Sequence, residues 1–116
     1  MARALISGDY PQALGSRRIS VIDHVGPASY TQVTVATPPT GGDIVQASEF
    51  GLKYLEAVLV EGSDNGAYDG AAFPLSGQLQ PSTSVALEWI TAHTGAEVAG
   101  ATNLSARTMR LLAIGF

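Results

Sequence analysis

The chain has no cysteine, few charges and no long apolar run, and each absence removes a class of protein. Without cysteine there are neither disulfides nor thiolate metal sites. Charged residues make up 14% of the 116 residues, against roughly a quarter in an average soluble domain. With 46% apolar residues beside them, so sparsely charged a surface is expected to face other protein over part of its area. The charge that is present has the wrong sign for a phosphate backbone. Six Lys plus Arg against ten Asp plus Glu give −4, so no nucleic-acid partner is expected. No window reaches the roughly 18 apolar residues of a membrane-spanning helix, and the N-terminus lacks the apolar region of a signal peptide. The expectation is a soluble chain made in the cytoplasm, with no membrane partner.

What is present is alternation of short period. A chain of this length forms one domain that buries roughly two-thirds of its unfolded surface. Residues 1–16, with Gly8, Pro11 and Gly15 and no sustained period, read as an N-terminal arm. Its Leu5, Ile6, Tyr10 and Leu14 need a surface to lie on, either the domain's own or a neighbour's. Residues 17–116 read as a single domain.

Residues 17–25 alternate, with Ile19, Val21, Asp23 and Val25 against Arg18, Ser20, Ile22 and His24. After Gly26-Pro27, residues 29–37 resume with Thr31, Val33 and Val35 in one row, which predicts an antiparallel hairpin between the two segments. The run from Pro38 to Gly42 ends pairing, since proline has no N–H to give a ladder. Asp43 followed by Gln46 has the form of a capping box, and Gly51 suits a left-handed stop, so one helical turn is expected within residues 45–50. Residues 52–61 predict a strand with Leu55, Ala57 and Leu59 in one row and Tyr54, Glu56, Val58 and Val60 in the other. Asn65-Gly66 is a strong hairpin signal, and the strand returning over 67–75, interrupted by Gly70 and Pro74, belongs at an edge.

Residues 82–92 set Val85, Leu87 and Trp89 against Ser84, Ala86, Glu88 and Ile90. Trp89 is the natural core anchor, since burying one indole removes on the order of 200 Å² from water. The closing stretch has two largely apolar rows, Met109, Leu111, Ala113 and Gly115 against Thr108, Arg110, Leu112, Ile114 and Phe116. That pattern fits a central strand. Six to eight short strands and one helical turn predict an all-β fold, a β-sandwich or jelly roll, with a partly open barrel as the alternative. The expected core anchors are Val33, Val35, Leu55, Leu59, Val85, Leu87, Trp89 and Leu111.

Chemistry-bearing patterns are sparse. His24 and His93 are the only histidines. Alternation turns Asp23 away from His24, and His93 reaches Glu97 only through a loop, so neither pair predicts acid–base catalysis or a metal site. Asp64, Asn65 and Asp69 offer oxygen ligands, but the calcium-loop pattern is not met and a hairpin tip accounts for the same residues. No nucleophile elbow, P-loop, zinc-helix or dinucleotide motif occurs. No catalytic residue, cofactor or metal is therefore expected, and an enzyme is the least favoured class. Arg17 and Arg18 point to opposite faces. They and the pair Arg107 and Arg110 are either separate solvated or salt-bridged side chains, or one or two of them meet an acidic neighbour across a subunit contact, where arginine is enriched.

Two stretches carry a resemblance: residues 40–52, beginning Thr40-Gly41-Gly42-Asp43 and ending Gly51-Leu52, and residues 101–116, with Asn103-Leu104-Ser105 and the run from Arg110 to Phe116. Over residues 17–116, loosely in the middle, the chain resembles the capsid decoration, or cement, proteins encoded in the head-gene modules of tailed bacteriophages. The hairpin around Gly26-Pro27 and the arm depart from that pattern. The resemblance implies a virion structural protein without a cofactor, on the outer capsid surface, bridging and stabilising neighbouring major capsid subunits as a homotrimer or a dimer. The residues expected at the capsid or subunit interface are Arg3, Leu5, Ile6, Tyr10, Leu14, Arg17, Arg18 and Phe116. The rival reading is a sandwich module of a head fibre or tail tip that binds carbohydrate or a host surface. It needs an exposed aromatic platform, for which Tyr30, Tyr54 and Tyr68 are available.

Overall fold

The computed structural model describes residues 17–34, 40–74 and 82–116. Six strands run in chain order: β1 (Arg18–Val25), β2 (Asp43–Gln46), β3 (Leu55–Ser63), β4 (Tyr68–Pro74), β5 (Ser84–Thr91) and β6 (Thr108–Gly115). A 3-10 turn, Ala47–Phe50, follows β2. The strands form two antiparallel three-stranded sheets, ordered β1-β6-β3 and β2-β5-β4. The fold is all-β.

The two most apolar alternating stretches hold the centre of each sheet. From β6, Met109, Leu111 and Ala113 face inward; from β5, Val85, Leu87 and Trp89 meet them, with Leu55 and Val45 filling in between. Leu55, Val85, Leu87, Trp89 and Leu111 are each no more than 2% exposed. Loop residues Tyr30, Val98 and Leu104 complete the same core.

Among the described residues the hairpin predicted between residues 17–25 and 29–37 does not form. The partner of β1 is β6, from Arg18 opposite Gly115 to Val25 opposite Thr108. This pairing joins β1 to a far more apolar strand than residues 29–34 supply. The segment after Gly26 instead lies against the 97–104 loop: Tyr30 N–H donates to Thr102 O at 2.9 Å and Leu104 N–H to Pro27 O at 2.8 Å. Val33 is therefore half-buried rather than a core anchor, and Val35 lies outside the described residues.

Leu59 also departs from its expected core position, being 59% exposed. The cause is a β-bulge. Leu55 pairs with Gly115 but Ala57 pairs with Ile114, so Glu56 is an extra residue on β3. One inserted residue reverses the alternation beyond it. Leu55 remains inside, Val58 and Val60 pack on the core, and Leu59 turns outward.

Asp43 is not the cap of the helical turn; it lies in β2. Gln46 takes that position, its N–H donating to Glu49 Oε2 at 3.1 Å, and Gly51 ends the turn with φ 74°. Asn65-Gly66 does make a tight turn, with Asn65 Oδ1 accepting from Ala67 N–H at 3.0 Å. Its flanking strands belong to different sheets, so it carries the chain across the sandwich instead of closing a paired hairpin. β4 is an edge strand.

Gly115 is fixed by close approach: a Cβ there would strike the Tyr54 carbonyl. That contact belongs to the clasp of the C-terminus, where Lys53 and Tyr54 N–H groups both donate to Phe116 O at 2.9 Å and Phe116 N–H returns to Tyr54 O. Gly115→Ala is expected to cost about 1–3 kcal/mol, the usual penalty of overpacking. Urea denaturation checks it, and a loss under about 0.5 kcal/mol would show that the clasp shifts freely.

Candidate interaction surface

Register decides which residues share the outer face of the β1-β6-β3 sheet. Directly paired residues lie on one side of an antiparallel sheet. Val21 opposite Leu112 opposite Leu59, and Ile19 opposite Ile114 opposite Ala57, form two apolar rows across three strands. These six residues make one continuous band on the side away from the core. Val21 and Leu59 stand exposed, Ala57 and Ile114 are half-buried, and Ile19 and Leu112 are buried, each 7% exposed. Phe116 continues the β6 row and packs on the exposed ring of Tyr54, with centroids 5.4 Å apart.

Two arginine–carboxylate pairs bracket the band. At one end Arg17 forks onto Glu56, the bulge residue, through Nε at 2.5 Å and Nη2 at 3.0 Å. At the other, Arg110 on β6 forks onto its cross-strand neighbour Asp23 at 2.8 and 3.0 Å. The Arg110 fork holds the Asp23 carboxyl below its ordinary range. Both pairs are exposed and add little to stability. Their effect on the surface is greater, since they neutralise the charge on either side of the apolar rows and fix where those rows end.

Of the residues expected at an interface, Arg17 and Phe116 border this band. Arg18 lies in the opposite row, exposed at the margin of the sandwich. Arg3, Leu5, Ile6, Tyr10 and Leu14 lie outside the described residues. Val21, Leu59 and Ile114 escaped sequence reasoning, because membership of the face depends on the bulge at Glu56 and on the pairing of β1 with β6. The one local signal was Glu56 itself, a charge in an otherwise apolar row.

The other polar clusters are bonded inside the fold. His24, 7% exposed on the inner side of β1, lies between two carboxylates: Nε2 is 2.8 Å from Asp43 Oδ2 and Nδ1 is 2.7 Å from Glu49 Oε1. Trp89 Nε1–H donates to the same Asp43 oxygen at 3.0 Å. Tyr30 donates its hydroxyl to Glu97 at 2.8 Å and accepts Trp89 N–H, and burial raises its pKa. These groups staple loops and sheets together, and neither cluster includes a serine or threonine hydroxyl bonded as a nucleophile. Beside the Asp23–Arg110 pair a shallow polar depression is lined by Glu61, Ser63, Asp64 and Thr108. Ser63 there is engaged by Asn65 and by Tyr68 N–H. Among the described residues no group of three His, Asp or Glu side chains is arranged to hold a metal ion. No helix among them is long and apolar enough to cross a membrane.

The three tyrosines do not form a platform. Tyr30 is buried, Tyr68 packs edge-on against Trp89 with centroids 5.8 Å apart, and Tyr54 stands at the Phe116 end of the other sheet. Comparison with models of protein families, with curated proteins and with solved structures finds no match to this chain.

Proposed function

We propose that the protein is a virion structural protein, an outer capsid decoration protein that binds the major capsid protein through the outer face of the β1-β6-β3 sheet. The observation that carries this reading is the apolar band of Val21, Leu59, Ile114 and their neighbours, continuous over three strands and bracketed by two neutralised arginines. Large apolar faces rimmed by polar groups are interaction surfaces. The acidic, weakly charged composition supports a place on the outside of a shell over contact with packaged nucleic acid.

Size argues for a multivalent assembly. Three strands of this length span roughly 25 by 14 Å, and only Val21 and Leu59 of the six band residues are exposed, so one copy offers well below the roughly 800 Å² per partner of a standard stable interface. A homotrimer, or a dimer, docking at a symmetric position of the lattice multiplies a weak contact into firm attachment. Heads purified from the phage that carries this gene, incubated with the protein and sedimented, should retain it to saturation and burst at a higher temperature. Heads that neither retain it nor gain stability would refute the reading.

The exposed Tyr54–Phe116 pair favours one alternative, a sandwich module of a head fibre or tail tip that stacks a sugar ring. Glycan-array signals abolished by Tyr54→Ala would support it, and an array without signals removes it.

A further inference from the structure

We propose that His24 is a proton-operated clasp between the two sheets, closed while both ring nitrogens carry hydrogen and opened on the side of the Ala47–Phe50 turn when one is lost. Both nitrogens face carboxylate oxygens, at 2.8 and 2.7 Å. A carboxylate only accepts, so two such bonds require two N–H donors, which only the imidazolium has. The neutral ring would keep one bond and set a lone pair against the other carboxylate.

The clasp joins three elements. His24 lies on β1, Asp43 on β2 of the other sheet and Glu49 on the turn that follows. β6 presents Met109 opposite His24, and β5 presents the indole N–H of Trp89 to Asp43. Among the described residues the charged groups facing the ring are thus Asp43 and Glu49. Burial, the largest single effect, pushes the His24 pKa down, but the bonds and charges of the two carboxylates together outweigh it, and the net shift is upward.

The two sides are unequal, which decides where the clasp opens. The Asp43 side chain is 9% exposed against 36% for Glu49, so stranding Asp43 costs more. The remaining proton therefore stays toward Asp43, whose Oδ2 also holds Trp89, while Glu49 turns to water. Glu49 also caps the turn through Gln46 N–H, so its release loosens Ala47–Phe50. Because the folded pKa is raised, the stabilisation is complete below the ordinary histidine value of about 6.5 and fades as pH rises through the folded value.

The test is a histidine titration by long-range ¹H–¹⁵N NMR on the full chain carrying His93→Gln, so that His24 alone reports. The expected result is a ring protonated on both nitrogens at pH 6, a midpoint above 6.5, and amide shifts of residues 47–50 that move with the same midpoint. Glu49→Gln should lower the midpoint and remove the pH response of the turn. Because this side chain is partly exposed, the variant is expected to fold, and the titration of the unaltered cluster is decisive without it. A singly protonated ring at pH 6, a midpoint at or below 6.5, or a turn that ignores the transition would each overturn the proposal.

Discussion

Trp89→Ala is expected to remove about 3–5 kcal/mol of folding stability, the range for truncating a buried aromatic residue. Three losses combine. The indole is fully buried at the middle of the core, so its removal leaves a cavity that the two sheets cannot close. The edge-on contact with Tyr68 disappears. Asp43 loses a donor at 3.0 Å while remaining mostly buried beside His24, and an undersatisfied buried acceptor costs about 1–3 kcal/mol. Trp89→Phe separates these terms in part, because it keeps a buried aromatic ring while removing the N–H and the rest of the indole. Urea denaturation of the three proteins should rank them native, Phe, Ala, with Phe closer to native. A loss below about 1 kcal/mol for Ala would mean that Trp89 does not anchor the core.

The second large effect concerns binding, with the fold left intact. If the protein decorates phage heads as proposed, Leu59→Asp is expected to weaken that attachment about 30-fold or more, since an unpaired charge buried in an interface costs about 2–5 kcal/mol. Leu59 is 59% exposed and beyond the bulge, so the same substitution should change stability by no more than about 0.5 kcal/mol. Ile44→Asp is the control. Ile44 is comparably apolar and exposed, but it lies on β2, in the other sheet. Equal loss from both substitutions would mean that binding is not confined to the β1-β6-β3 face, and loss from neither would remove that face from attachment.

Local pattern and long-range pairing differ in how far the sequence reveals them. Residues 82–92 alternate so cleanly that Trp89 reads as a core anchor, the two apolar rows from Thr108 onward mark a central strand, and Gly51 marks the end of the helical turn. Alternation states which residues share a row, but not which strand lies beside it. Alternation therefore points to the nearest segment as the partner of β1, whereas the ladder runs to β6, 97 positions away at Arg18 and Gly115. The bulge at Glu56 was hidden for a different reason. Leu55, Ala57, Val58, Leu59 and Val60 are all apolar, so either face of β3 could have been the inner one, and only the register with β6 chooses between them. The clasp at His24 could not be read at all, since its carboxylates lie 19 and 25 positions along the chain and meet it only when the two sheets stack. The C-terminal stretch now has a divided role: Met109, Leu111 and Ala113 build the core, while Leu112, Ile114 and Phe116 belong to the outer band.

The most direct measurement is an electron-microscopy map of purified heads saturated with the protein and compared with bare heads. The expected result is added density on the outer surface at symmetric lattice positions, with the outer face of the β1-β6-β3 sheet turned toward the shell and Leu59 within the contact. A bare shell at saturation, or added density whose Leu59 face points to solvent, would contradict it.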